Sequence, residues 1–191
     1  MGLMLDLQPG FGRALVVGGG EVATRKVRNL ADAEFEVTVV APVIHERIRL
    51  APHVRLIERE WREDDLDGHA LVFACTDSRE VNNTIGNAAR RRGLPVLVAD
   101  RQEESSFFNP AVLRQGDVRV AVSTGGASPE LAKQIRSNIA EALGRGWARM
   151  AATARQEREA RRRARMDNVE QAAMIRAIEL RRDEDPPEGD E

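Results

Sequence analysis

Residues 14–26, ALVVGGGEVATRK, decide the fold. ALVV at 14–17 reads as a strand buried on both faces. Residues 21–32 read as a helix with Val22, Ala23, Val27, Leu30 and Ala31 toward one side. Between them, GGGEVA at 18–23 fits G-x-G-x-x-[GA]. The motif has meaning because it follows a strand and opens a helix. Gly18 permits the tight turn, Gly20 lets the backbone approach a pyrophosphate, and Ala23 lets helix and strand pack closely. The helix N-terminus adds free N–H groups and a partial positive charge. Gly18, Gly20, Glu21, Val22 and Ala23 are therefore candidates for a dinucleotide site. A glycine turn without a ligand is the alternative.

Outward from this stretch, apolar runs alternate with helical patterns. EVTVVA at 36–41, VRLIE at 54–58, ALVFAC at 70–75 and PVLVAD at 95–100 read as four further strands, with a helix at 78–92 ending at Gly93. Continuous apolar strands interleaved with helices imply an α/β fold, a Rossmann-type parallel sheet covered on both faces. After Asp100 the pattern changes. Residues 110–124 read as a hairpin turning at Gln115-Gly116-Asp117. A helix follows from Ser128-Pro129, with Leu131, Ile135, Ile139 and Leu143 as its expected buried face. Residues 147–181 read as more helix, either continuous or broken at Asp167-Asn168. The expected organisation is a cofactor domain over 1–108, a hairpin-plus-helix region over 109–144, an Arg-rich helical domain over 145–182 and a disordered acidic tail over 183–191.

Composition removes whole classes of mechanism. There is no tyrosine, which excludes a phenol as general acid or base. The single cysteine, Cys75, excludes disulfide frameworks and multi-cysteine metal sites and reads as a small buried apolar residue. His45, His53 and His69 show no metal-binding spacing, so no metal site is expected. Neither lysine, Lys26 or Lys133, completes a phosphate-loop motif of the nucleotide hydrolases. There is no apolar run of transmembrane length and no signal-like start, so a soluble cytoplasmic protein without a membrane partner is expected. Residues 145–182 hold eleven arginines against five acids, but no aromatic residue follows Trp147 to stack on bases. The stretch RQEREARRRAR at 155–165 reads as a solvated helix, with attraction of an anionic substrate secondary and no nucleic-acid partner.

One feature departs from the dinucleotide fingerprint. The second strand ends in Val40-Ala41-Pro42, where an acid for the ribose hydroxyls is usual. Ribose contacts are then expected from the backbone around Ala41, Pro42 and Val43. Arg47 has two readings, a 2′-phosphate contact or a solvated helix position, and these residues do not choose between NAD and NADP.

VVGGGEVATRK at 16–26, ACTDSREVN at 74–82, VLVAD at 96–100, SFFNPA at 106–111 and AVSTGGASPELAKQIR at 121–136 occur in order. Together they resemble the precorrin-2 dehydrogenase family, the dehydrogenase domains of siroheme synthases and their stand-alone relatives. The resemblance spans about residues 5–145. It implies a Rossmann domain, a central dimerisation region and a small helical domain in a homodimer. The implied activity is NAD-dependent oxidation of the tetrapyrrole precorrin-2 to sirohydrochlorin, on the way to siroheme; some members also insert ferrous iron. The length leaves no room for the methyltransferase module of multifunctional members, so a stand-alone form is expected.

The resemblance also implies roles for residues. Asp100 ends the fifth strand, where open α/β sheets place ligands, and matches the family's aspartate; the family's preceding asparagine is missing from LVAD. A carboxylate there can take the proton released on oxidation or hold the ring against the nicotinamide. Its alternative is a strand-end cap. Ser128 reads as a helix N-cap and, with Gly125 and Gly126, as a site for substrate carboxylates. Thr76 and Asp77 are expected to line the cofactor cleft, with Asn82 bonding nearby; the alternative is that Asp77 or Ser78 simply starts the helix. Phe107 and Phe108 read as core or interface. Two other functions stay open: a non-catalytic dinucleotide sensor, and a tetrapyrrole chelatase or carrier with a relic cofactor site.

Overall fold

The computed structural model describes residues 2–144 and 146–184. They form two compact units. One holds the chain up to Pro110 together with Ser123–Pro129; the other holds Ala111–Val122 and the chain from Glu130 onward.

The first unit is a five-stranded parallel sheet in the order β3-β2-β1-β4-β5. Its strands are β1 (Ala14–Val17), β2 (Val37–Val40), β3 (Val54–Ile57), β4 (Leu71–Ala74) and β5 (Val96–Val98). Three α-helices are interleaved: α1 (Glu21–Ala31), the single-turn α2 (Glu46–Arg49) and α3 (Arg79–Arg91). Alternate residues of each strand feed two separate cores. Ala14, Val16, Val39 and Phe73 pack with Ala23, Val27 and Leu30 of α1. Leu15, Val17, Val72 and Ala74 pack with Ile85, Ala88 and Ala89 of α3. β1, β2 and β4 are buried on both faces for this reason, which explains the unbroken apolar sequence of β1 and β4; β2 carries one buried polar residue, Thr38. Ser78 caps α3 by accepting from the Val81 N–H at 3.3 Å. At the other end the Gly93 and Leu94 N–H groups close back onto Arg90 and Ala89.

The second unit contains the antiparallel hairpin β6 (Ala111–Gln115) and β7 (Val118–Val122), then α4 (Pro129–Leu143) and α5 (Trp147–Glu184). One expectation changes here. Along α4, Leu131 is half exposed and Ile135, Ile139 and Leu143 are only partly buried; Ala132 is the buried residue. The four-residue apolar spacing is real, but this chain supplies little to cover it. α5 runs without interruption through Asp167-Asn168. Those two residues have low helix propensity, but each costs only about 0.7 kcal/mol against alanine. Neither glycine nor proline is present to break the helix. Asp183 and Glu184 close α5, and the rest of the acidic tail, 185–191, lies outside the described residues.

The two-faced core makes a direct prediction. Leu15 is fully buried in the central strand. Leu15→Ala should lower stability by about 2–5 kcal/mol, read by urea denaturation.

Candidate functional site

The strand order reverses between β1 and β4, so the crevice for a ligand lies beyond their C-terminal ends. Two close approaches shape it. Gly18 has φ +124°, and a Cβ there would lie 2.3 Å from the Cys75 carbonyl oxygen. A Cβ on Gly19 would lie 1.9 Å from the Val43 carbonyl oxygen. The loop after β2 is thus packed onto the glycine loop, and the His45 N–H donates to the Gly19 carbonyl at 2.9 Å. Gly20 is different: it is the N-cap of α1, no side chain caps the helix there, and a Cβ would meet nothing within 4 Å. The first-turn N–H groups of α1 open onto free space.

That space is a cavity of about 850 Å³. Gly18, Gly20, Glu21, Val22, Ala41, Pro42, Val43, Thr76 and Asp77 all line it. Of the residues expected at a cofactor, only Ala23 does not line it; fully buried, Ala23 packs α1 onto the sheet. Three acidic residues, Glu21, Glu60 and Asp77, line the cavity, and among the described residues no lysine or arginine does. His45 is fixed by its neighbours. Its Nδ1 accepts from the Arg47 N–H at 3.1 Å, which leaves Nε2–H to face Glu21 Oε1 at 3.3 Å. Arg47 itself is exposed and does not line the cavity.

Asp100 lies two residues beyond β5, outside the residues that line the cavity. Its Oδ1 accepts from Asn82 Nδ2 at 2.8 Å, and Arg79 Nη1 lies 3.6 Å from Oδ2. Asn82 also bonds to Thr76, which does line the cavity. Arg79 reaches Glu104 as well, and Asn83 Nδ2 donates to Glu104 at 3.4 Å. Residues 79, 82, 83 and 90 share one face of α3, and together they hold the segment 100–104.

The Thr124–Ser128 loop folds on itself: the Ser128 N–H donates to the Thr124 hydroxyl at 3.1 Å. Gly126 packs against Gln102 and Phe108, so Gly125, Gly126 and Ser128 lie in a loop against the segment that carries Asp100. They do not line the cavity. Phe107 packs edge-on against Phe73, ring centroids 5.5 Å apart, whereas Phe108 is largely exposed.

Burial dominates the electrostatics behind the crevice. Desolvation pushes the Cys75 thiol from 9.0 up to about 12, with Lys26 and Arg25 opposing. Desolvation also lowers Lys26, with the Cys75 charge opposing. Cys75 is therefore a buried thiol, not a nucleophile. Among the described residues no group of three or more His, Cys, Asp or Glu could hold a metal ion, and no helix is long and apolar enough to cross a membrane.

Several participants escape a motif-based reading. Gly19 is the middle glycine, which the fingerprint leaves unassigned. Glu60 and Trp61 come from the loop after β3 and carry no local signal. Arg79 reads as an ordinary first-turn helix residue. The i, i+3, i+4 spacing of Arg79, Asn82 and Asn83 was the available clue.

Residues 3–111 match the model of a family described as NAD(P)-binding, and residues 115–142 match the central domain of sirohaem biosynthesis proteins. The first match covers more than half of the chain, and the chain belongs to this NAD(P)-binding family; its cofactor is a nicotinamide dinucleotide. More particularly, it is similar to siroheme synthases. The chain is 46% identical over 128 residues to that of Methylococcus capsulatus, covering 65% of this chain and 27% of the relative. It is 44% identical over 129 residues to that of Pseudomonas aeruginosa strain UCBPP-PA14, covering 66% and 28%. For Methylobacillus flagellatus the figures are 39% over 149 residues, 76% and 32%. The chain thus spans about a third or less of these relatives. A solved structure, SirC, a precorrin-2 dehydrogenase, aligns with a TM-score of 0.66 at 27% identity, covering 80% of this chain and 75% of that one. The cavity fits such a cofactor: the uncapped start of α1 and the open side of Gly20 suit a pyrophosphate.

Two predictions follow from this geometry. Gly19→Ala forces the Val43 carbonyl away from the glycine loop, so the affinity for reduced dinucleotide should fall at least about tenfold, read by nicotinamide fluorescence. The raised Cys75 pKa means that the folded state holds a proton the unfolded state loses above pH 9.0. Its contribution to stability is full below that pH and is lost as pH rises toward about 12. Cys75→Ala should flatten this alkaline loss in urea titrations. In the wild type, alkylation near neutral pH should be slow until the chain is unfolded.

Proposed function

We propose that the chain is an NAD-dependent precorrin-2 dehydrogenase, which oxidises this tetrapyrrole to sirohydrochlorin on the way to siroheme. The observation that carries the reading is the Asp100 carboxylate. It is held on both oxygens by Asn82 and Arg79, one residue removed from Thr76 on the cofactor cavity. Likeness to siroheme synthases and to a precorrin-2 dehydrogenase supports the substrate class.

The oxidation removes one hydride and one proton from the macrocycle. When bound, the oxidised nicotinamide supplies the hydride acceptor. Gly18, Gly20, Glu21 and Val22 hold the pyrophosphate end, and Ala41, Pro42 and Val43 supply the ribose surface. Thr76 and Asp77 line the same cavity. Asp100 takes the proton; the Asn82 amide orients the carboxylate, and Arg79 supplies charge beside it. Gly125, Gly126 and Ser128, packed against the 100–104 segment, receive substrate carboxylates at the start of α4. A preference for NAD over NADP belongs to this reading and is supported by the lining: three acidic residues and, among the described residues, no lysine or arginine line the cavity, so a 2′-phosphate would meet repulsion without a counter-charge.

The partly uncovered apolar positions of α4 support a homodimer in which 109–144 is the dimerisation region. The Arg-rich stretch of α5 attracts the polyanionic substrate as a secondary effect. Action in the cytoplasm belongs to the same reading.

Anaerobic incubation with precorrin-2 and NAD, followed by absorbance, should yield sirohydrochlorin; none from folded, dinucleotide-binding protein refutes the reading. Asp100→Ala should lower kcat at least about 100-fold and leave dinucleotide affinity within about twofold. Replacing NAD with NADP should lower kcat/KM at least about tenfold.

A further inference from the structure

Among the described residues, only Thr38 and Asn82 are polar and buried, and Asn82 is wholly inaccessible. A buried amide stays in a core only if its hydrogen bonds are made. Those of Asn82 are. Its Oδ1 accepts from the Thr76 N–H at 3.0 Å and from the Thr76 hydroxyl at 2.7 Å. Its Nδ2 donates to the Thr76 carbonyl at 3.0 Å and to Asp100 Oδ1 at 2.8 Å. Both donors and both acceptor positions are used. The orientation of the amide is also fixed, because turning it over would set NH₂ against the Thr76 N–H.

Three of these bonds shape the Thr76 turn. The fourth does something else: it crosses to a part-exposed carboxylate on another segment. One side chain therefore spans from the wall of the dinucleotide cavity to Asp100. Arg79, from the first turn of the same helix, faces the other Asp100 oxygen. Arg79 is exposed and shared with Glu104, so it provides charge but little directional control. Directional control comes from Asn82, whose rotamer is locked by burial.

We propose that Asn82 is a positioning residue of the dehydrogenation: it fixes the Asp100 carboxylate relative to Thr76 and the cofactor cavity. This rests on the dehydrogenase reading. Asn82 acts through Asp100, so its loss matters only while that carboxylate is present.

The test is a double-mutant cycle on the full chain with precorrin-2 and NAD. Asn82→Ala should lower kcat about 10–100-fold, with KM for both substrates within about twofold. In an Asp100→Asn background the same substitution should change kcat by less than about threefold. Asn82→Asp covers the case in which the alanine variant does not fold. It keeps the acceptors for Thr76 but sets a second carboxyl against Asp100. Arg79 and Glu104 are the charged groups around that pair, and the Cys75 thiol feels the Asp100 charge. In this variant kcat should rise toward the wild-type value as pH falls from about 8 to about 6, because a shared proton restores the lost hydrogen bond. Equal losses in both Asp100 backgrounds, a fall in dinucleotide affinity that accounts for the lost rate, or Asn82→Asp with the wild-type pH profile would each overturn the positioning role. A wild type that forms no sirohydrochlorin refutes the dehydrogenase reading first, and the two failures are told apart by that control.

Discussion

The meeting of β1 and β4 is the constraint on which the site depends. The two strands pair in parallel, and the chain leaves β1 through Gly18 with the Cys75 carbonyl where a side chain would stand. Any larger residue would push the glycine loop off the end of β4. Gly19 imposes the same condition against Val43 from the β2 side. The loop is clamped between two backbones, and that clamp aims the start of α1 into the cavity. Glycine is needed at these positions because backbone carbonyl groups, not flexible side-chain ends, occupy the space a side chain would take.

Burial of the sheet on both faces is what makes the clamp rigid. β1 has no polar face, so no water reaches the strand that carries Gly18. The same burial explains why Cys75 and Lys26 shift in opposite directions: desolvation disfavours the charged form of each. The polar network then begins where the core stops. Thr76, Asn82, Arg79, Asp100 and Glu104 are tied into one continuous set of contacts along α3 and the segment after β5. Half-satisfied, such a network would weaken the fold; with Asn82 fully bonded it specifies where the segment lies.

Much of the sheet was legible in the sequence because its signal is local. ALVV, VTVV and LVFA are short, apolar but for Thr38, and bounded by turn residues, and they pair as the alternation with helices requires. The glycine loop was legible for the same reason, since turn, backbone approach and helix start all fall within a few residues. Gly19 was not, because its partner, Val43, belongs to a loop after another strand. Arg79 and the full role of Asn82 were hidden likewise: their partner is Asp100, which lies far along the chain. The apolar spacing of α4 was read correctly as a pattern and incorrectly as burial, because periodicity reports a face but not what covers it. Of the two readings of α5, continuous or broken at Asp167-Asn168, the helix takes the continuous one, because two weak helix formers do not carry the weight of a breaker.

The acid missing from the end of β2 gains a physical meaning from the cavity. A carboxylate after β2 holds ribose hydroxyls and repels a 2′-phosphate at one point. Here that point is occupied by Ala41, Pro42 and Val43, while Glu21, Glu60 and Asp77 reach the cavity from three other segments. The negative field is therefore distributed around the wall. His45 is taken up by its neighbours: Nδ1 accepts from the Arg47 N–H and Nε2 is turned to Glu21. Arg47, the side chain best placed by sequence to hold a phosphate, is exposed and does not line the cavity. On the proposed NAD reading, discrimination against a 2′-phosphate rests on the combined charge of the wall, so no single substitution at 41–43 would be enough to reverse it. Reversal would require both the removal of wall carboxylates and the introduction of a cation, because either alone leaves the phosphate unpaired in a partly enclosed space.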